Sequence, residues 1–154
     1  MEQLLLGRIV IVKVKKLDPS AIIPTYGSAA AAGCDLYSVE TVFLNPGEIR
    51  LIHTGWAMEI PTGYWGGIYA RSGLALKKGL RPANCVGVID SDYRGEIMVA
   101  LRNDSYEGQW IEKGDRIAQL IFQQTYRPIN GFEEVDELSD TERASGGFGS
   151  TGTK

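Results

Sequence analysis

The chain carries, near its middle, the stretch Gly87-Val88-Ile89-Asp90-Ser91-Asp92-Tyr93-Arg94-Gly95-Glu96-Ile97. Apolar and β-branched residues stand on both sides of it, as is typical of strands, and turn residues at 92–95 separate them. The pattern predicts a hairpin that carries carboxylates and an aromatic ring at its bend, where backbone groups can face a ligand. The alternative is a surface hairpin whose charges are turned to water.

Outward from this stretch, short segments rich in β-branched or aromatic residues recur along the chain, with Gly, Pro and Asn between them. The predicted strands cover residues 9–14, 41–44, 48–60, 64–70, 96–101 and 116–123. Many short strands at this spacing predict an all-β sandwich or barrel. One short helix is predicted over 72–79, with the Ser72 hydroxyl as its cap and Gly79 at its end.

Composition limits the class of protein. With 154 residues, 44% hydrophobic and 23% charged, the chain is typical of one soluble globular domain. A net charge of −3 gives no general attraction to nucleic acid or acidic lipid. Neither an export signal nor a run of roughly 18 apolar residues is found, so we expect a cytoplasmic protein without membrane or nucleic-acid partners.

The cysteines and the single histidine carry no recognisable site. Cys34 and Cys85 are too few and too poorly spaced for a disulfide framework or a four-ligand zinc site, and we expect them to be reduced and packed. His53 lies in a strand-like run without a partner histidine at ligand spacing. A structural role is expected for it.

The composition changes after about residue 132, which divides the chain into a core (1–132) and a C-terminal arm (133–154). The arm is first acidic and then rich in glycine and serine, with Phe148 in its last part. Glycine brings backbone N–H groups close to an anion, and Phe148 can close over a planar base. The alternative is a flexible tail without function.

Three further segments place acids or donors where strands meet loops: residues 32–36 with Asp35, residues 70–73 with Arg71 and Ser72, and residues 114–120 with Gln119. Each has an ordinary structural explanation. Asp35 can fix a turn, Arg116 can pair with a structural carboxylate, and a strand glutamine usually faces solvent.

Taken together and in their order along the chain, the five segments resemble those of the trimeric deoxyuridine triphosphatase (dUTPase) family. They are residues 32–36, 70–75, 84 with 87–95, 114–120, and 143 with 146–152. The resemblance covers about residues 32–152. It implies a jelly-roll β-barrel subunit with one short helix and a flexible C-terminal arm, a homotrimer, and active sites shared between subunits. It also implies hydrolysis of dUTP to dUMP and pyrophosphate, which limits uracil in DNA and supplies dUMP for dTMP synthesis.

The resemblance assigns the chemistry and the nucleoside contacts to the central stretch. Asp90 matches the general base that takes a proton from the water attacking the α-phosphorus. Tyr93 matches the ring under the deoxyribose, where a ribose 2′-OH would clash, so UTP is excluded. The remaining matches form the uracil-reading segment, which has no space for a 5-methyl group and leaves buried groups unpaired against cytosine. They are Asn84, Val88, Ile89 and Met98.

The phosphate contacts match residues outside that stretch, namely Arg71, Ser72, Gly73 and Gln119. A Mg²⁺ ion bridging the phosphates is implied, with few direct protein ligands. Asp35 matches a residue that contacts the water shell of this ion; its alternative role is that of a charge partner for a nearby arginine. In the arm, the matching residues that close over the nucleotide are Arg143, Phe148, Gly149, Ser150 and Thr151.

Two other functions are compatible with parts of the pattern. A dCTP deaminase-like enzyme shares the fold, but Ala100 stands where its catalytic Glu would be, and Leu76 stands where it carries an Arg. Neither substitute can do acid–base chemistry. A non-catalytic nucleotide-binding or regulatory protein is the second alternative, and the retained Asp90 argues against it.

Overall fold

The computed structural model describes residues 11–127 and 131–146. Within them the chain forms eleven strands and one helix, in the following order. The elements are β1 (Lys13–Lys16), β2 (Thr25–Tyr26), β3 (Cys34–Tyr37), β4 (Val42–Leu44), β5 (Ile49–Glu59), β6 (Tyr64–Tyr69), α1 (Ser72–Lys78), β7 (Leu80–Pro82), β8 (Gly87–Ile89), β9 (Glu96–Asn103), β10 (Gln109–Ile111) and β11 (Arg116–Gln124).

The strands form three antiparallel sheets. One has the order β1-β5-β9-β7, the second has the order β2-β3-β11-β6-β8, and β10 pairs with β4 in a small third sheet. This arrangement confirms the all-β jelly-roll prediction. The predicted strands 48–60, 64–70, 96–101 and 116–123 correspond closely to β5, β6, β9 and β11, while residues 9–10 of the first predicted strand lie outside the described residues.

The core lies between the two large sheets and follows the alternation of each strand. In β9, Ile97, Val99 and Leu101 are buried while the residues between them are not. Leu36 of β3 and Leu120 of β11 are fully buried among the facing side chains. Each such aliphatic side chain contributes about 1.5–3 kcal/mol through burial, and this packing fixes which residues of each strand face outward toward a ligand.

The predicted hairpin around the central stretch is wrong. β8 pairs with β6 in the five-stranded sheet, and β9 pairs with β5 and β7 in the four-stranded sheet. Residues 90–95 therefore cross from one sheet to the other. Residue composition shows that both segments are strands, but it does not show which neighbour completes each ladder, because partner choice depends on contacts distant in sequence.

The helix prediction is confirmed, but the cap prediction is wrong. Ser72 is already the first helical residue, and the N-cap is Arg71, which has extended backbone angles and no capping side-chain hydrogen bond. A hydroxyl caps a helix only from the residue before the first helical one. Gly79 ends the helix with a φ of +66°, and its N–H donates to the Ala75 carbonyl.

Both cysteines are free thiols. Cys34 is buried, and burial raises its pKa. Cys85 is exposed, so the expectation that both thiols are packed is wrong for this residue. Cys85 has a φ of +61° in the turn that follows β7. In the described part of the chain, no helix is both long and apolar enough to cross a membrane.

Candidate active site

The crossing between the sheets opens a shallow concavity of about 180 Å³ on the surface. Five of the residues assigned from the sequence meet there, together with two others. The lining residues are Leu51, Val88, Ile89, Asp90, Tyr93, Glu96 and Met98. Val88 and Tyr93 are 59% and 40% exposed, so both side chains are available to a ligand.

The bend itself is held by short-range hydrogen bonds. The Tyr93 N–H donates to the Asp90 carbonyl at 3.2 Å, and Arg94 Nη1 donates to the Ser91 carbonyl at 2.7 Å. The Tyr93 hydroxyl donates to the Glu96 carbonyl at 3.0 Å, which folds the ring back over Gly95. The bend thus fixes Tyr93 beside Asp90, and Asp90 is exposed.

Asp90 also borders a second, wider depression of about 460 Å³. Thr62, Trp65 and Arg127 are among the residues that line it. A residue that lines two depressions can meet both a water molecule and a substrate. This position suits a general base, which needs hydrogen-bond access to the water that it deprotonates.

A second group of assigned residues surrounds Asp35 on β3. Arg71 Nε lies 2.8 Å from Asp35 Oδ1, and Arg116 Nη1 lies 3.3 Å from Asp35 Oδ2. The Asp35 side chain is only 14% exposed. Gln119 is opposite Asp35 in the sheet and donates from Nε2 to the Ala70 carbonyl at 2.8 Å. These contacts hold two cations and an amide close to the start of α1.

Asp35 therefore acts as a charge partner for arginines, which was one of the two roles open to it. Within the described residues, no three His, Cys, Asp or Glu side chains are placed to hold a metal ion together. Mg²⁺ binds readily to phosphate oxygens while keeping several water molecules. The residues present fit a Mg²⁺ ion that takes its ligands mainly from a bound triphosphate and water.

The other assigned phosphate contacts, Ser72 and Gly73, are exposed at the start of α1. Apart from its chain neighbours and the backbone of its own helix, no described atom lies within 4 Å of a Cβ built on Gly73, and its φ is not in the left-handed region. Packing within the chain therefore does not require glycine at this position. Open space above a backbone N–H is what a close-lying ligand would use.

Three parts of the assigned site remain apart from the concavity or outside the described residues. Asn84 lies at the other end of β8, where its Nδ2 would be 3.2 Å from a Cβ on Gly87. Arg143 is exposed in the segment 131–146 and donates to the Gly146 carbonyl at 2.9 Å. Phe148, Gly149, Ser150 and Thr151 lie outside the described residues.

Leu51 and Glu96 line the concavity but were not assigned from the sequence. Glu96 stands within the central stretch, directly after the turn, and that position was the available signal. Leu51 is exposed on β5 although its neighbour Ile52 is buried. Only the pairing of β5 with β9 brings it to the concavity, because Leu51 is opposite Ala100 in that ladder.

We expect Asp35→Asn to lower the free energy of unfolding by about 1–3 kcal/mol, because it removes the charge shared by two guanidinium groups and turns an NH₂ donor toward one of them. Urea denaturation at one fixed protein concentration measures this loss. Asp104→Asn is the matched control, since Asp104 also pairs with two arginines but is more exposed. A loss no larger than that of the control would contradict the expected role of Asp35.

Residues 19–152 match the model of the dUTPase family. The chain is 54% identical over 142 residues to the deoxyuridine 5′-triphosphate nucleotidohydrolase of Nautilia profundicola. The aligned region covers 91% of this chain and 97% of the relative.

Among solved structures, the Staphylococcus bacteriophage 80alpha dUTPase with dUPNHPP superposes with a TM-score of 0.85 at 32% identity, covering 92% of this chain and 98% of the other. A variant dUTPase from phage phi11 of S. aureus, described with a structural Mg(II) ion, has a TM-score of 0.76 at 28% identity and covers 83% of this chain and 98% of the other.

Proposed function

The chain belongs to the dUTPase family and is a dUTP diphosphatase, and on that premise we propose how its residues hydrolyse dUTP to dUMP and pyrophosphate. Asp90 is the general base that takes a proton from the water attacking the α-phosphorus. The observation that carries this proposal is the concavity in which Asp90 stands beside Tyr93 and the exposed edge of β8.

The uracil ring is read by the backbone of β8. This strand is the last of its sheet, so one row of its N–H and C=O groups faces away from β6. Val88, Ile89 and Met98 surround these groups with apolar atoms, and Asn84 adds an amide from the preceding turn. The fixed N–H and C=O groups of the backbone pair with the edge of uracil, whereas cytosine would leave some of them without a hydrogen-bond partner. The apolar side chains around them leave no space for a 5-methyl group on the base.

The deoxyribose packs on Tyr93. The ring is held by its hydroxyl at the Glu96 carbonyl and by contact with Gly95, so it does not swing freely. A ribose 2′-OH placed against this ring clashes with it or loses its water. Tyr93 in this position therefore selects dUTP over UTP.

The phosphates bind at Arg71, Ser72, Gly73 and Gln119. The Asp35 carboxylate keeps the Arg71 guanidinium at the start of α1, and Gln119 is held at Ala70 beside it. In this proposal Asp35 contacts Mg²⁺ only through water, and Mg²⁺, when bound, supplies positive charge to the phosphates. In the arm, Arg143, Phe148, Gly149, Ser150 and Thr151 close over the nucleotide and exclude bulk water.

The placement of the two groups supports active sites shared within a homotrimer. Across the sheet, β11 and β6 lie between β3, which carries Asp35, and β8, which Asp90 follows. Along the strands, Asp35 is in register with Tyr69 of β6, and Asp90 is in register with Trp65, four residues away. At about 4.8 Å per strand and 3.3 Å per residue, the two carboxylates of one chain are about 20 Å apart. We therefore assign the base and the phosphate contacts of one site to different subunits.

Mixing two inactive variants tests this sharing. One is Asp90→Ala, and the other is a chain ending at residue 147, which lacks Phe148. Because hybrid trimers would contain sites with an intact Asp90 from one subunit and an intact arm from another, we expect a measurable fraction of wild-type activity after subunit exchange. Continued inactivity in a mixture whose exchange is proven by mass spectrometry would contradict shared sites.

The activity is tested by incubating the protein and Mg²⁺ separately with dUTP, dCTP, dTTP and UTP. We expect dUTP alone to give dUMP and pyrophosphate, each resolved by chromatography. Appearance of dUTP or dUMP from dCTP would instead support a deaminase, a reaction for which Ala100 and Leu76 offer no acid–base group. An absence of product from all four nucleotides would support a binding or regulatory protein.

A further inference from the structure

The ladder between β5 and β9 is interrupted beside the active site. His53 is opposite Met98 and Ala57 is opposite Glu96, so three residues of β5 (54–56) face Ile97 alone. Gly55 occupies this bulge with a φ of +72°. A bulge leaves backbone groups without a ladder partner, and here the Gly55 N–H donates instead to Glu96 Oε1 at 2.8 Å.

The other oxygen of Glu96 binds His53. Nδ1 of His53 lies 2.8 Å from Glu96 Oε2, and the two side chains are 49% and 21% exposed. Glu40 accepts from the His53 N–H at 2.9 Å, and Asp18 and Glu40 line the same depression as His53 and Glu96. The hydrogen bond to Glu96 raises the pKa of His53, and the charges of Glu96 and Glu40 add to this shift against the effect of burial.

The same residue holds Tyr93 through its backbone. The Glu96 carbonyl accepts from the Tyr93 hydroxyl at 3.0 Å. Glu96 also lines both the concavity that contains Asp90 and the depression that contains His53. The Glu96 side chain therefore contacts the bulge of β5, while its backbone carbonyl holds the Tyr93 ring in position through the tyrosine hydroxyl.

We propose that Glu96 is a positioning residue for Tyr93, with His53 as its partner, and that it thereby contributes to the selectivity for a 2′-deoxy sugar. This inference rests on the proposed role of Tyr93 against the deoxyribose. Without the carboxylate, the Gly55 N–H loses its acceptor and the start of β9 is free to shift. The Tyr93 ring shifts with it, so dUTP loses a contact and the ribose of UTP gains space.

The test compares kcat/KM for dUTP and for UTP in the wild type, Glu96→Ala, Glu96→Gln and His53→Ala. We expect Glu96→Ala to lower the ratio of the two values by about ten- to a hundredfold, because small displacements of a positioning group have effects of this size. Glu96→Gln retains an acceptor for Gly55 and should keep most of the ratio. Asp104→Asn, one residue beyond the opposite end of β9, is the control and should leave the ratio unchanged.

The pH dependence separates positioning from a general loss of stability. Since the folded pKa of His53 is raised, the charged pair is complete below the ordinary histidine pKa of about 6.5 and is lost as pH rises through the raised value. The wild-type ratio should therefore fall over that range, and the ratio of His53→Ala should not change with pH. Ionisation of the triphosphate affects both substrates and cancels in the ratio.

A measurement without turnover completes the test. In protein labelled with ¹³C at the tyrosine Cζ atoms, the signal absent from Tyr93→Phe identifies Tyr93. We expect this signal to shift in Glu96→Ala, and to move with pH in the wild type but not in His53→Ala. If neither the signal nor the ratio changed in Glu96→Ala and His53→Ala, while the wild type still hydrolysed dUTP, the positioning role would be wrong and the proposed function would stand. A wild type that did not hydrolyse dUTP would contradict the function, and the tyrosine signal would still decide the contact.

Discussion

Asp90→Asn is expected to lower kcat for dUTP hydrolysis by about 10²–10⁴-fold, the range usually contributed by a positioned general base. The amide has the same shape as the carboxylate but does not take a proton from water. Because Asp90 stands exposed at the bend between β8 and β9, the substitution leaves no buried group unpaired. Pyrophosphate release measures the loss, and calorimetric titration with dUTP and Mg²⁺ should show that binding is retained.

Asp92→Asn provides the matched control for this experiment. Asp92 is exposed in the same bend, but it lies outside the concavity that contains Tyr93. Its substitution changes the local charge by the same amount as Asp90→Asn and should leave kcat near the wild-type value. Equal losses in the two variants would mean that the charge of the bend matters and not a base at position 90.

Gly95→Ala is expected to lower kcat/KM for dUTP by about ten- to a hundredfold, with a smaller loss for UTP. A Cβ built on Gly95 lies 2.5 Å from Tyr93 Cζ and still closer to its hydroxyl. One of the two groups must move, and the half-exposed ring has more freedom than the backbone between two sheets. Displacement of the ring removes the surface against which the deoxyribose packs.

The comparison variant is Gly27→Ala, because no described atom other than those of its chain neighbours lies within 4 Å of a Cβ at Gly27, and its φ is not left-handed. Thermal unfolding should be nearly the same for both variants and the wild type, whereas only Gly95→Ala should change the ratio of kcat/KM values. An unchanged ratio, together with an unchanged Tyr93 signal, would show that the ring does not depend on the space at Gly95.

Much of the fold follows from the sequence because single strands are local features. The alternation of β9 and the apolar run of β11 are visible without any partner, and both strands were predicted within three residues of their observed ends. The partners were not predictable in this way. β8 was expected to pair with β9, yet Gly87 and Ile89 pair across to Ile68 and Gly66.

The site shows the same division between local and distant information. The central stretch already contains Asp90 and Tyr93, and the resemblance to a known family gave them roles. The two guanidinium contacts of Asp35 join three segments of the chain, and the sequence offered this pairing only as one of two roles. The function of Glu96 was missed because it depends on a bulge 41 residues away at Gly55, and no local pattern predicts a bulge partner.

Hydrolysis of dUTP in water enriched in ¹⁸O identifies the phosphorus that the water attacks. Attack of water on the α-phosphorus forms a bond between the water oxygen and that phosphorus and releases unlabelled pyrophosphate. Mass spectrometry of the products after a single turnover should therefore find the ¹⁸O atom in dUMP. Label in pyrophosphate with unlabelled dUMP would mean attack on the β-phosphorus, and it would contradict the mechanism built on Asp90.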